Sequence, residues 1–373
     1  MKNVGLITYH SAYNYGSALQ AYATQEAIQL LGHDVEIINY RMAEQNYFYK
    51  KLYHFRYGKT AAVRDLLQIP MHSKRILRAR NFEAFMRDYL ILTNEMSEPE
   101  QISSMWDRYD VIVSGSDQIW NKDSVEFRHN DLKYMDPYLL KGFKGKKVSY
   151  ASSVGTLDRE KLRLILSAIS GFDAISFREK KSTDFIANEL HRNVENVLDP
   201  TFLLDKQQWI TRMKLKEIEK DYILYYSLTS YKDEAKESKH LVELAEKYRC
   251  RVIVITPLHF APVYDRRIEY RPDYGPREFL ELLYNAKLVI TYSFHGTALS
   301  ANLNVPFYSL AKKTSTDYRK ADLLGRLGLR DRIAYGLEEV LSRSDQSVDF
   351  KKAGEVMEKC RSDSLRYLSE NLE

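Results

Sequence analysis

Short runs of branched and aromatic residues alternate along the chain with longer amphipathic stretches, and this alternation constrains the fold more than any other feature. Strands read at residues 4–9, 34–39, 110–114, 147–151, 173–177 and 194–198, and again at 221–227, 251–255 and 287–291. Helical periodicity fills the intervals at 17–31, 74–90, 158–170 and 179–190, then at 232–247, 276–285, 296–303 and 317–327. Strands joined by crossover helices form parallel sheets covered on both faces. The sequence therefore predicts an α/β protein with two such sheets. The first domain is expected over 1–205 and the second over 206–349. A terminal helix is expected over 350–373, where Phe350, Ala353, Val356, Met357, Leu365 and Leu368 predict packing back on the first domain.

Charge and cysteine content narrow the function classes. Lys and Arg number 56 against 51 Asp and Glu, a net charge of +5 that is too small over 373 residues to make nucleic acid the main partner. Cys250 and Cys360 stand far apart without a CxxC or Cys/His cluster, so neither a disulfide framework nor a zinc site is expected. Met1 leads directly into the strand-like Val4-Gly5-Leu6-Ile7, and no apolar run approaches membrane-spanning length. A soluble, cytoplasmic protein is expected, with no metal. The one compositional anomaly is residues 41–80, where ten Lys/Arg face only Glu44 and Asp65, and Tyr47, Phe48, Tyr49, Tyr53, Phe55 and Tyr57 crowd the start.

Four stretches carry candidate chemistry, each at the end of a strand where α/β sheets gather ligands. In Thr8-Tyr9-His10-Ser11-Ala12-Tyr13-Asn14-Tyr15-Gly16-Ser17, Asn14 and Gly16 suit a tight turn and Ser17 an N-cap, so a helix N-terminus there either receives an anion or is an ordinary strand-to-helix turn. In Ser114-Gly115-Ser116-Asp117-Gln118-Ile119-Trp120-Asn121, Asp117 can hold a sugar hydroxyl and Trp120 can stack on a sugar ring; the alternative has Asp117 capping a helix and Trp120 in the core. In Ser176-Phe177-Arg178-Glu179, the Arg178 guanidinium can fork onto a phosphate or carboxylate, with Glu179 suited to the next helix's first turn, or Arg178 can pair with a nearby acid. In Thr291-Tyr292-Ser293-Phe294-His295-Gly296-Thr297, His295 can transfer protons near neutral pH or serve structurally.

Taken in series, Asn14-Tyr15-Gly16-Ser17-Ala18-Leu19-Gln20, Gly115-Ser116-Asp117-Gln118-Ile119-Trp120-Asn121, Ser176-Phe177-Arg178-Glu179, Leu198-Asp199-Pro200-Thr201-Phe202 and Ser293-Phe294-His295-Gly296-Thr297-Ala298 resemble the motifs of the polysaccharide pyruvyl transferase family. The resemblance spans about residues 3 to 330. It implies a GT-B-like fold, with two Rossmann-like domains facing a cleft and a C-terminal helix crossing back. It also implies transfer of the enolpyruvyl group of phosphoenolpyruvate to two hydroxyls of a glycan sugar, leaving a pyruvate ketal and phosphate. Phosphoenolpyruvate is then a donor substrate, and no cofactor is implied.

By the same resemblance, His295 and Arg178 match family positions that contact the donor: His295 as acid or phosphate-side donor, Arg178 as anion clamp. Donor binding is assigned to Arg178, Ser293, Phe294, His295, Gly296, Lys312 and Arg319. Acceptor binding is assigned to Asn14, Tyr15, Gly16, Ser17, Ser116, Asp117, Gln118 and Trp120. One departure stands out: many active members have Arg-Leu-His where this chain has Ser293-Phe294-His295. Lys312, Lys313 or Arg319 are the candidates to replace the missing arginine, which otherwise implies a different donor or lost activity. Family acceptors are often lipid-linked, so the 41–80 excursion reads either as a peripheral contact with the inner membrane face or as a solvated helical hairpin with a tyrosine seam. Two other functions fit the same residues: a GT-B-type glycosyltransferase using a nucleotide sugar, and a catalytically silent glycan-binding protein.

Overall fold

The computed structural model describes the chain except residues 60–62, 64, 67, 68, 125, 128, 129, 156, 157, 219, 220, 229, 230, 257–264, 313–317 and 344–346, and the side chains of 231–236 and 238. The chain divides into two compact units, the first comprising Met1–Ala62, Phe82–Leu204 and Glu358–Glu373, the second Val63–Asn81 and Asp205–Met357. Residues 63–81, expected as part of an excursion from the first domain, thus group with the second.

In the first unit, β1 (Asn3–Ile7), β2 (Asp34–Ile37), β3 (Val111–Ser114) and β4 (Lys146–Ser149) pair in the order β2-β1-β3-β4, all parallel. Bridges Val148↔Ala174 and Ser152↔Phe177 continue the array to β5 (Ser176–Phe177), which pairs with β6 (Glu195–Asn196). The strands are apolar on both faces, as a sheet covered on both sides requires: Val4, Leu6, Ile7, Val111, Ile112 and Val113 are all buried. The order reverses at β1/β3, so the loops after Ile7 and Ser114 leave side by side.

The second unit repeats the scheme. Strands β7 (Tyr222–Tyr226), β8 (Arg251–Ile255), β9 (Ile268–Tyr270), β10 (Leu288–Thr291), β11 (Phe307–Leu310) and β12 (Ile333–Ala334) run parallel in the order β12-β11-β10-β7-β8-β9. The chain winds outward from β7 in one direction and from β10 in the other, so its reversal lies at β7/β10. Open α/β sheets bind ligands beyond the carboxyl ends of strands at such a reversal.

One helix in each unit sits behind its reversal and is buried almost all round, as only a central helix can be. Tyr15–Leu30 is buried from Tyr15 through Ile28, and Phe294–Asn302 along its whole length. Small residues permit this: a Cβ on Gly296 would lie 2.8 Å from Thr291 Oγ1 and 3.1 Å from the Tyr226 ring.

The terminal helix, Phe350–Leu372, contributes its residues from Glu358 onward to the first unit. There Tyr367 Oη donates to Ser149 O at 2.8 Å, Arg361 Nε to Phe202 O at 2.7 Å, and Leu198 N to Ser364 Oγ at 3.0 Å. Among the described residues no helix is long and apolar enough to cross a membrane.

Candidate functional site

The loops at the first reversal are sewn together by side chains. Thr8 Oγ1 donates to Ser116 O at 3.0 Å, Gln20 Nε2 to Thr8 Oγ1 at 2.7 Å, and Ser17 Oγ to Asp117 Oδ2 at 2.6 Å. The helix N-cap is Asn14, whose Oδ1 accepts from the amides of Gly16 at 2.9 Å and Ser17 at 3.4 Å. This corrects the sequence reading, which put the cap at Ser17 and a turn at Gly16; both lie inside the helix because it starts two residues earlier. Gly115 turns the other loop at φ 130°, where a Cβ would come within 2.1 Å of Tyr150 O.

Several of the expected acceptor side chains are committed inward. Trp120 is buried against Phe172 and Phe177, with ring centroids 5.4 Å away in both cases, and Nε1 donates to Tyr138 O at 3.1 Å. It is a core residue, with no face open to a sugar. Tyr15 is buried against Phe82, and Ser116 Oγ donates to Ala151 O at 2.7 Å. Asn14 and Gln118 remain partly exposed at the rim.

Arg178 requires the largest revision. Its Nη1 donates to Asp199 Oδ2 at 2.6 Å, Nε to Glu179 Oε1 at 3.2 Å and Nη2 to Asp117 Oδ1 at 3.3 Å, and its side chain is 1% exposed. Burial opposes the charge, and Asp199, Asp117 and Glu179 more than offset it, holding the guanidinium pKa above its ordinary value. All three nitrogens are engaged by carboxylates, so the side chain is an internal tie and not an open clamp for a ligand anion. Glu179 serves the same cage: its Oε1 also accepts from Ser153 Oγ at 2.6 Å, and it makes no side-chain cap to the helix Lys180–Leu190.

Two titratable groups near this reversal were missed by sequence reasoning. His10 is buried, with Nε2 2.9 Å from Asn39 Oδ1 and Nδ1 3.2 Å from Thr8 O; burial, then the Arg41 charge, lower its pKa to about 4. Glu126 accepts from Tyr49 Oη at 3.2 Å, and burial of its carboxyl, then the Asp117 charge, raise its pKa to about 7. No local pattern marks Glu126, because Tyr49 and Asp117 reach it from distant parts of the chain.

At the second reversal, Ser293 caps the helix Phe294–Asn302, its Oγ accepting from Gly296 N at 3.2 Å. His295 stands in the first turn, buried, its ring set edgewise at 5.4 Å from Phe294. The neighbouring buried cation is Lys320, whose Nζ donates to Tyr292 O at 3.0 Å and to Leu310 O. Tyr292 follows β10 and Leu310 ends its neighbour β11, so the ammonium is held by a carbonyl three residues before His295. Sequence reasoning named Lys312, Lys313 and Arg319. Lys312 is exposed, Lys313 lies outside the described residues, and Arg319 sits 5.9 Å from the Phe294 ring.

A family model described as polysaccharide pyruvyl transferase matches residues 14–313, a range that contains Asn14, Asp117, Arg178, Ser293 and His295 and ends before Lys320. No curated protein sequence matches the chain. Among solved structures, the chain is similar to UDP-GlcNAc 2-epimerase from Neisseria meningitidis bound to UDP-GlcNAc, with TM-score 0.56 and 12% identity over 100% of this chain and 99% of that one. It is also similar to the enzyme of the same name from Methanocaldococcus jannaschii in complex with UDP-GlcNAc and UDP, with TM-score 0.51 and 13% identity over 96% and 98% of the two chains. At such identities the likeness is one of fold, and with the two parallel sheets it gives the chain a GT-B-type α/β architecture.

Proposed function

Because the chain belongs to the polysaccharide pyruvyl transferase family, we propose that it transfers the enolpyruvyl group of phosphoenolpyruvate to two hydroxyls of one glycan sugar, in the cytoplasm where that donor is made. C3 of the enol takes a proton, the first hydroxyl oxygen bonds to C2, phosphate leaves C2, and the second hydroxyl closes the ketal there. Of the two hydroxyl protons released, one balances the proton added at C3 and one leaves with phosphate.

The observation that carries this reading is that His295 stands in the first turn of a buried helix beyond β10 while Lys320 Nζ is held by the carbonyl of Tyr292, two residues before that helix. Backbone amides at a helix N-terminus and a fixed cation both favour an anion. In this reading they hold the donor's phosphate or carboxylate while His295 supplies the proton. Ser293 spends its side chain on the cap, so Lys320 provides the charge that an arginine supplies in many family members.

In the first unit, Asn14 and Gln118 are the candidates to meet the sugar. Glu126, with a carboxyl that titrates at about 7, is the candidate to accept a hydroxyl proton. Arg178 is a positioning residue in this scheme, fixing Asp117 and through it the loop after β3.

A thermal-shift titration with phosphoenolpyruvate, run beside UDP, GDP and CMP, tests the donor. A ligand at a hundred times its Kd adds about 2.7 kcal/mol to stability. Stabilisation by phosphoenolpyruvate that is lost in Lys320→Met is expected. Stabilisation by a nucleotide alone would replace this reading with that of a nucleotide-sugar glycosyltransferase. No shift with any ligand would favour a silent glycan-binding protein.

A further inference from the structure

Residues 63–81 carry a feature that neither sheet accounts for. Val63, Leu66, Ile69, Ile76 and Leu77 are each between 41% and 57% exposed, although all five are large aliphatic side chains close together in sequence. Other exposed aliphatics, such as Leu30, Ile91, Leu132, Leu164 and Ile218, occur singly, which is ordinary for a protein surface.

The helix His72–Tyr89 orders part of this set. Ser73, Ile76, Leu77 and Arg80 are exposed and follow the i, i+3, i+4, i+7 spacing of one helix face. Within the second unit the helix is anchored: Lys74 Nζ donates to Tyr270 O at 2.9 Å and Asn81 Nδ2 to Asp273 O at 2.8 Å. The Ile76–Leu77 stripe therefore has a fixed direction.

The charge carried by the segment that follows Asp65 is of one sign. Between residues 69 and 81 stand Lys74, Arg75, Arg78 and Arg80, with no Asp or Glu. A second copy of the chain seated on this face would bring these cations against themselves, since a twofold contact pairs a patch with its own image. A surface that is anionic at its outer layer and apolar beneath suits both parts of the patch. Aliphatic side chains enter it while Lys and Arg reach its phosphates.

Much of the aromatic start of the basic stretch is committed to other contacts, although Phe55 is 61% exposed. Tyr49 packs at 5.3 Å on Tyr13, and Tyr47, His54 and Tyr57 cluster together beneath Arg56, which lies 3.7 Å from the Tyr47 ring. Arg41, the first cation of the stretch, is buried on Glu83 at 2.9 Å.

We propose that the described residues between Val63 and Asn81 dock the protein on the surface of an anionic lipid bilayer, with Val63, Leu66, Ile69, Ile76 and Leu77 entering the acyl boundary and the exposed Arg80 meeting the lipid phosphates. This docking stands independently of the transferase reading and requires no substrate.

Flotation of the full chain with phosphatidylcholine vesicles, with and without phosphatidylglycerol, tests it. Wild-type protein floats with the anionic vesicles and is released by high salt. Arg80→Ser weakens binding about fivefold, the worth of one basic residue at such a surface. The double variant Ile76→Asp/Leu77→Asp stays at the bottom of the gradient with an unchanged melting temperature; should it melt early, Ile69→Asp supplies the same test. Failure of wild-type protein to float, or flotation of the stable Asp variant equal to wild type, overturns the proposal. Light scattering that reports a dimer converted to monomer by these substitutions, with no vesicle binding, assigns the face to a second copy instead.

Discussion

Arg178 Nη1 donates to Asp199 Oδ2 over 2.6 Å with both side chains almost wholly excluded from solvent, and the same guanidinium reaches Glu179 and Asp117. Replacing Arg178 with Ala would strand three carboxylates that share one cation. Breaking a buried ion pair by removing one partner costs about 3–5 kcal/mol, so Arg178→Ala is expected to fold poorly. Urea denaturation measures this; a loss below about 1 kcal/mol would show that the cage relaxes or hydrates freely.

His295 and Lys320 are expected to separate kinetically. His295→Ala lowers kcat about 10² to 10⁴-fold, the usual worth of a proton-transfer group. Lys320→Met acts chiefly on the KM for phosphoenolpyruvate, about tenfold to a hundredfold, as expected for loss of a charged hydrogen bond. Phosphate release with a competent acceptor measures both. Equal effects on kcat and KM in the two variants would contradict the division of roles.

The cap at the first reversal gives a sharper local test. Asn14→Ala removes the acceptor for two amides and is expected to cost about 1 kcal/mol. Ser17→Ala removes no cap but frees Asp117 Oδ2 of its 2.6 Å donor, so its effect falls on the loop after β3. Amide exchange distinguishes them: Asn14→Ala raises exchange at Gly16 and Ser17, and Ser17→Ala raises it around Gln118.

Stability between pH 4 and 6.5 is expected to carry the signature of His10. Its folded pKa of about 4 lies below the ordinary 6.5, so on acidification the unfolded chain takes the proton first. The His10 contribution is complete above pH 6.5 and is lost as pH falls to about 4, a span of about 3 kcal/mol. Glu126 runs the opposite way. Its folded pKa of about 7 lies above the ordinary 4.5, so its contribution is complete below pH 4.5 and lost as pH rises through 7. The two windows overlap, so the difference between wild type and His10→Gln, followed by urea melts across this range, isolates the His10 part. A difference that does not change with pH would show that His10 is hydrated and titrates normally.

The strands and long helices were legible because period is a local property. Residues 251–255 read as a strand and form β8, and 158–170 reads as a helix where Arg159–Ser170 forms one. The two-residue β12, three-residue β9 and four-residue β11 were not read, since so few residues establish no alternation. Motif positions at the ends of β1, β3 and β10 were visible for the same local reason. What their side chains do was not. Arg178 reads identically whether it faces solvent or three acids, and two of those acids lie 21 and 61 residues away. Lys320 and Arg319 are adjacent in sequence, and only their placement on the helix Arg319–Arg326 decides that Lys320 turns inward to two strand-end carbonyls. Trp120 reached the core by the same kind of long-range choice.

The terminal helix has a consequence for synthesis. Ser149 and Phe202 accept hydrogen bonds from Tyr367 and Arg361, and Leu198 N donates to Ser364 Oγ, so the first unit is finished by residues made after the second. A nascent chain that has emerged as far as Leu204 holds both halves of the Ser17–Asp117 and Arg178–Asp199 contacts but lacks this support. Its completion waits until the whole of the second unit has left the ribosome. Protease sensitivity of stalled chains is therefore expected to fall in the first unit only once Glu358–Glu373 is exposed.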